Sequence, residues 1–242
     1  MSYFWDMLIG SQGSVVILGA LDAEVEAFLS HMDNKQLVQG GGLTAQVGTL
    51  NGKEVVVCKS GVGKVYAAMT TQWLIQQFQP SAVLFTGVAG ALNRSYDVGD
   101  IVLAKDCVQY DMDARGLDFS VGTIPYTDLR FFDCDAKLLQ HAQHTSTDHK
   151  IHVGRILTGD RFVTHEYIAQ LDELKMELGG DAVEMEGAAV AQVCTIHQIP
   201  FLIIRTISDK ANADSPIDFP RFLPIVAHNS FAVIEQILGM EK

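Results

Sequence analysis

The 242-residue sequence predicts a single α/β domain with a central, mostly parallel mixed β-sheet flanked by helices. Three observations predict it. Short β-branched runs alternate with helical patterns along the chain. Those runs are apolar on both faces, as strands of a sheet covered on both sides are. No composition break, repeat or low-complexity linker marks a second domain.

The opening segment 1–14, MSYFWDMLIGSQGS, is apolar in patches but has no basic residue ahead of them and no run long enough for a signal core. It reads as an extension, leaving 15–242 as the domain. The first strand is Val15 to Leu21, followed by the amphipathic EVEAFLSHM, and the next is Glu54 to Gly61, followed by KVYAAMTTQWLIQQF. Further strands are read at Ala82 to Gly87, Asp100 to Asp111 and His152 to Asp160. The helix HEYIAQLDELKMELGG then ends on paired glycines suited to a C-terminus. A short strand at AVEM, an apolar helix GAAVAQVCTIH, the strand Phe201 to Ser208 and a last helix FLPIVAHNSFAVIEQIL complete the order. Met112 to Phe132 is the least regular stretch and reads as a long excursion near a binding site or subunit contact.

Composition narrows the function. The chain is 48% hydrophobic, which suffices for a sizeable core, and carries a formal charge of -12 with a pI near 4.9. Nucleic acid and anionic membrane surfaces would repel it, so a small molecule is the expected partner. No apolar run approaches the roughly 20 residues of a spanning helix. Cys58, Cys107, Cys134 and Cys194 are far apart and form no C-x-x-C, as expected of reduced thiols in a cytoplasmic protein. The histidine-rich HAQHTSTDHKIH (His141 to His152) lacks acidic or cysteine ligands at metal spacing and reads as a helix end and loop. No metal and no cofactor are expected.

In open α/β sheets ligands bind beyond the carboxyl ends of the strands. After the first strand come Asp22, Glu24 and Glu26; later strand ends carry SGVGK, GVAG and TGDRF; Glu186 follows AVEM, and Ser208 and Asp209 close the strand begun at Phe201. Each has a plain alternative: acidic residues complement a helix N-terminus, Ser208 and Asp209 cap turns, the glycines serve tight turns, and Phe162 packs in a core. Arg205 is harder to explain that way. A guanidinium late in an apolar strand needs carboxylates, for which Glu24, Glu184 and Glu186 are the candidates. SGVGKVY fits neither nucleotide motif, because Tyr66 stands where a dinucleotide fingerprint needs a small residue and Val65 where a P-loop needs Ser or Thr.

ILGALDAEV, SGVGKVYAAM, TGVAGAL, TGDRFV, AVEMEGAAVAQVC and IIRTISDKAN together, in this order and spacing from about Val15 to Leu238, resemble the 5'-methylthioadenosine/S-adenosylhomocysteine nucleosidases of the nucleoside phosphorylase superfamily. The resemblance implies a three-layer α/β/α fold and hydrolysis of the bond between adenine and a 5'-thio-substituted ribose, with 5'-deoxyadenosine as a further substrate. Under it Asp209 protonates adenine N7, Glu24 activates water, Glu186 binds the ribose hydroxyls and Met185 lines the sugar. Phe162 stacks on adenine, and the backbone of Val163 reads its edge. Leu21, Val62 and Phe219 line the alkylthio pocket, Glu184 helps hold Arg205, and Ser208 and the turn of Val88, Ala89 and Gly90 border the site. Pro125 comes from the neighbouring subunit of a homodimer.

Phosphorylases of the superfamily are similar to one another in carrying arginine on the first βα loop and near the second glycine loop, whereas LGALDAEV and LFTGVAG have no cation. Water is therefore the expected nucleophile. A phosphate-dependent purine nucleoside phosphorylase, an aminofutalosine-type nucleosidase and a non-catalytic nucleoside-binding protein are the other readings. Val88 stands where many relatives have serine, and QYDMDARGLDFSVGTIP departs from the commoner form of its loop, with Arg115 new there.

Overall fold

The computed structural model describes residues 13–163, 167, 177–209 and 228–239. Its strands are β1 (Val15–Gly19), β2 (Asp33–Gly40), β3 (Leu43–Leu50), β4 (Lys53–Lys59), β5 (Ala82–Ala91), β6 (Ile101–Gln109), β7 (Phe132–Asp133), β8 (Ile151–Thr158), β9 (Ala182–Glu184) and β10 (Phe201–Asp209). Helices α1 (Asp22–His31), α2 (Lys64–Phe78), α3 (Ala136–Ala142) and α4 (Gly187–His197) lie between them, and 228–238 are helical.

The centre of the sheet is parallel: β1 lies between β4 and β5, and β5 continues to β10. Val16, Ile17, Leu18, Val83, Leu84, Phe85, Leu202, Ile203 and Ile204 are all fully buried there, as β-branched and aromatic runs covered on both faces must be. β10 runs antiparallel to β6, β6 parallel to β8, β8 parallel to β9, and β9 antiparallel back to β5. These pairings close part of the sheet on itself, and the short β7 hangs on β6.

Two helices cover the region where the site forms. α2 buries Ala67, Thr70, Thr71, Leu74, Ile75 and Phe78, one stripe at helical spacing. α4 packs against α2 and buries Gly187, Ala188, Ala189, Val190, Ala191 and Cys194, whose small side chains let the backbones approach. α3 starts at Asp135, which accepts from Lys137 N and Leu138 N at 3.0 and 2.9 Å. Among the described residues no helix is long and apolar enough to cross a membrane.

Two features differ from the sequence reading. GVAG is not a turn: Gly87 to Gly90 lie within β5 and pair with β10. The antiparallel hairpin β2–β3, turned at Gly41 and Gly42 with φ of 59° and 80°, was not anticipated. The expected helix HEYIAQLDELKMELGG and the beginning of the last helix fall largely outside the described residues, as do 1–12 and Phe219.

Candidate active site

The carboxyl ends of β1, β4, β5, β8, β9 and β10 converge around a cavity of about 260 Å³. Ala20, Leu21 and Glu24 enter it from the β1–α1 junction, Val62 from SGVGK, and Phe85 to Gly90 from β5. Arg161, Phe162 and Val163 follow β8, Val183 to Glu186 close β9, and β10 contributes Arg205, Ser208 and Asp209. Every site residue expected from the sequence lines this cavity except Pro125, half-buried on the β6–β7 loop, and Phe219, which lies outside the described residues.

Arg205 is 1% exposed, and Glu184 is the carboxylate that takes it. Glu184 Oε2 accepts from Arg205 Nη2 at 2.6 Å and Nε at 3.2 Å, and also from Gly187 N and Glu186 N at 2.7 and 3.1 Å. Its other oxygen accepts from the Thr158 hydroxyl, which in turn accepts from Ala188 N at 2.8 Å. Arg205 Nη1 donates to the carbonyls of Phe85 and Ile204 at 3.2 and 3.0 Å, and the guanidinium lies 4.2 Å from the Phe85 ring centroid. Glu184 is thereby saturated by the cation and by the N-terminus of α4, and its role is to neutralise and fix Arg205.

Glu24 is the third residue of α1 and is 2% exposed, whereas Asp22 and Glu26 are exposed and Asp22 pairs with Lys59 at 2.8 Å. Its Oε2 accepts from Ala20 N at 2.7 Å and Leu21 N at 2.9 Å, satisfying N–H groups at the helix start. Oε1 lies over Gly87, where a β-carbon would stand 2.9 Å from it and 3.3 Å from Arg205 Nη1. Gly87 is therefore glycine to admit the pair. Burial pushes the Glu24 carboxyl above its ordinary range, against the opposing pull of Arg205 and of the N–H groups of Leu21, Ala20 and Val88.

Glu186 precedes α4, is 7% exposed, and accepts from Gly63 N at 2.6 Å through Oε1. Burial and then the neighbouring Glu184 push its carboxyl up to about 7, with the Gly63 N–H and Arg205 acting the other way. Asp209, four residues beyond Arg205, borders the cavity with it, and the β5–β10 register slips between Ile207 and Asp209. Regular alternation would send Ser208 and Asp209 to opposite faces; the bulge lets both border one space. The Ser208 hydroxyl donates to Asp209 Oδ2 at 2.8 Å.

The remaining wall is apolar. Val163 is buried and Met185 half-buried, while Phe162 is 47% exposed at the mouth rather than packed in a core. The sequence reading did not single out Thr158, Gly63, Phe85 or Arg161. Thr158 and Phe85 give no signal beyond ordinary strand residues, but the second glycine of SGVGK was available as a pointer to close backbone approach. Arg161 sets its guanidinium 4.1 Å from the Tyr167 ring centroid.

Three buried acids beside a paired arginine and an aromatic mouth suit a cationic transition state on a sugar whose base leaves. Comparison with known proteins agrees. The family model described as the phosphorylase superfamily matches residues 14–239. The 5'-methylthioadenosine/S-adenosylhomocysteine nucleosidase of Psychromonas ingrahamii is 36% identical over 226 residues, covering 92% of this chain and 97% of that protein. The crystal structure of the nucleosidase of that name from Neisseria meningitidis, in complex with methylthio-immucillin-A, superposes with a TM-score of 0.88 at 34% identity, over 93% of this chain and 98% of that one. The native futalosine hydrolase of Helicobacter pylori gives 0.87 at 31% identity, over 96% and 98%. With its motifs, its closed sheet and its acidic cavity accounted for along almost the whole length, the chain belongs to the phosphorylase superfamily and, within it, to the family of 5'-methylthioadenosine/S-adenosylhomocysteine nucleosidases.

Proposed function

We propose that this N-glycosyl hydrolase cleaves 5'-methylthioadenosine and S-adenosylhomocysteine to adenine and the 5'-substituted ribose. The observation that carries the reading is the convergence of Glu24, Glu186 and Asp209 on one cavity whose buried cation is already neutralised. Asp209, steadied by Ser208, gives its proton to adenine N7 and makes the base a neutral leaving group. Glu24 holds and deprotonates the attacking water with Oε1, while its other oxygen is anchored to the backbone. Glu186 accepts from the ribose hydroxyls, and Met185 lies along the sugar. Phe162 stacks on adenine, the Val163 backbone reads its edge, and Leu21 and Val62 border the 5' substituent.

Water suits this cavity better than phosphate. Arg205 is engaged by Glu184 and two carbonyls, Arg161 is turned to Tyr167, and the carboxylates of Glu24 and Glu186 border the cavity, where they repel a phosphate dianion.

The chain acts as a homodimer in this reading, with Pro125 of one protomer closing the 5' pocket of the other. An exposed apolar stripe on α2, Val65, Tyr66 and Met69, continues from Val62 at the cavity, and Leu117 and Tyr126 are exposed on the β6–β7 loop. Those faces support the assembly. Four buried free cysteines fit a reducing cytoplasm.

The test is product analysis with methylthioadenosine, in phosphate-free buffer and with phosphate added. Adenine and methylthioribose are expected in both. A sugar phosphate formed only with phosphate identifies a phosphorylase instead, and cleavage of aminofutalosine alone moves the substrate class. Asp209→Asn is expected to lower kcat about 10²–10⁴-fold; undiminished turnover would remove Asp209 from the mechanism.

A further inference from the structure

The Gly-Lys pair of SGVGK, which fits no nucleotide motif, stands beside the cavity and has another use. We propose that Lys64, Asp111 and Asp160 form a brace that positions Glu186 and the Phe162 loop for substrate, making them positioning residues of the nucleosidase. This rests on reading Glu186 as the ribose ligand.

The brace is a closed circuit of three elements. Lys64 is the first residue of α2, and its Nζ lies 2.6 Å from Asp111 Oδ1, 3.1 Å from Gln109 Oε1 and 3.9 Å from Asp160 Oδ2. Asp111 Oδ2 accepts from Asp160 N at 2.9 Å, and Asp160 Oδ1 accepts from Lys64 N at 2.9 Å. The end of β6, the end of β8 and the start of α2 are thus locked to one another. Gly63, one residue before Lys64, gives its N–H to Glu186 at 2.6 Å, and Phe162 lies two residues beyond Asp160.

The physical logic is that of a helix N-terminus. Its first N–H groups have no partners within the helix and attract anions. Here two successive donors, Gly63 N and Lys64 N, are taken by carboxylates from two different elements. Asp160 and Asp111 both face the Lys64 ammonium, whose side chain is 17% exposed, and it supplies their counter-charge. Gly63 has φ of +92°, and a β-carbon on it would approach Asp160 Oδ1 to 3.3 Å, so both conformation and space favour glycine here. Without the cation, the half-exposed Asp160 turns to solvent and releases Lys64 N, loosening the neighbouring Gly63 N–H that orients Glu186. Glu24 and Asp209 are held by other bonds and keep their places, so binding suffers more than chemistry.

The test is steady-state hydrolysis of methylthioadenosine by the full chain and by Lys64→Met, Lys64→Arg and Asp111→Asn. Lys64→Met is expected to raise KM about tenfold with kcat within about threefold, and Lys64→Arg to recover part of the loss. The acid limb of kcat/KM moves to higher pH in Lys64→Met, because Glu186 loses a donor favouring its ionised form while Glu184, Arg205 and Glu24 still face it. A KM within twofold of wild type, with the limb unmoved, overturns the brace. Should Lys64→Met fail to fold, Asp111→Asn breaks the same circuit from its partly exposed side, and the same KM criterion decides. A wild-type enzyme inactive on methylthioadenosine overturns the nucleosidase reading and the brace with it; an active wild type with an unaltered Lys64→Met overturns the brace alone.

Discussion

Glu184→Gln separates charge from shape at the most buried ion pair among the described residues. The carboxylate and the Arg205 guanidinium have side chains 3% and 1% exposed, so neither reaches water. Glutamine preserves the geometry: its oxygen can accept from Arg205, Glu186 N and Gly187 N, and its amide can donate to the Thr158 hydroxyl. What it removes is the counter-charge. Leaving one partner of a buried pair unmatched costs about 3–5 kcal/mol. For a chain of 242 residues each kcal/mol lowers the midpoint by about 2–4 °C, which gives a fall of about 6–20 °C. The assay is a thermal melt at fixed protein concentration, since assembly would make the midpoint concentration-dependent. Glu184→Gln/Arg205→Met removes both charges and is expected to recover part of the loss. A fall of less than about 3 °C in the single variant would mean that Glu24 and Glu186 hold Arg205 without Glu184, and the division between a structural and a substrate-facing glutamate would be wrong.

Two further variants test the neighbouring carboxylates. Glu186 has an ordinary value of 4.5 and sits at about 7 in the folded chain, so between those values the native state holds more protons than the unfolded one and stability falls as pH rises, levelling off above about 7. At about 1.4 kcal/mol per pH unit across that window the penalty is about 3 kcal/mol, which Glu186→Gln removes at pH 8 while losing turnover; denaturant unfolding at pH 5 and pH 8 checks it, and a pH-independent difference between variant and wild type contradicts it. Gly87→Ala puts a β-carbon 2.9 Å from Glu24 Oε1 and 3.3 Å from Arg205 Nη1, an overpacking expected to cost about 1–3 kcal/mol and to displace the oxygen proposed to hold the water. Unaltered kcat/KM in that variant would detach Glu24 from the chemistry.

Much of this was legible in the sequence because the central strands are apolar throughout and separated by helical stretches. The β2–β3 hairpin was not, for a physical reason: β2 is exposed along most of its length and lacks the apolar pattern by which strands declare themselves, leaving only Gly41-Gly42 as a cue. Arg205 announced a site because a guanidinium in an apolar strand must find anions. Spacing alone left Glu24, Glu184 and Glu186 open and the resemblance pointed to Glu184; the physical reason comes from Thr158 and the N-terminus of α4, contacts between distant segments. The glycines of GVAG suggested a turn, yet Gly87 is an in-strand gap for Glu24 and Arg205. The bulge at Ser208 has no sequence signature, so alternation alone would have kept Ser208 off the face that Arg205 and Asp209 share.

The electrostatics of the cavity connect these points. Under the proposed roles Glu184 cancels Arg205, Asp209 carries the proton, and the negative potential toward the sugar comes from Glu24 and Glu186. A cluster of that kind is unfavourable in the empty protein: burial raises Glu24 and Glu186 above the ordinary carboxylate range. The same unfavourable charge becomes favourable when the sugar turns cationic as adenine departs, because the acids are already in place and need not reorganise. It also discriminates between nucleophiles, since neutral water enters such a field freely while a phosphate dianion must work against it. Adding a cation should therefore move the chain toward phosphate more readily than removing an acid would, because removal takes away the stabilisation of the sugar along with the repulsion.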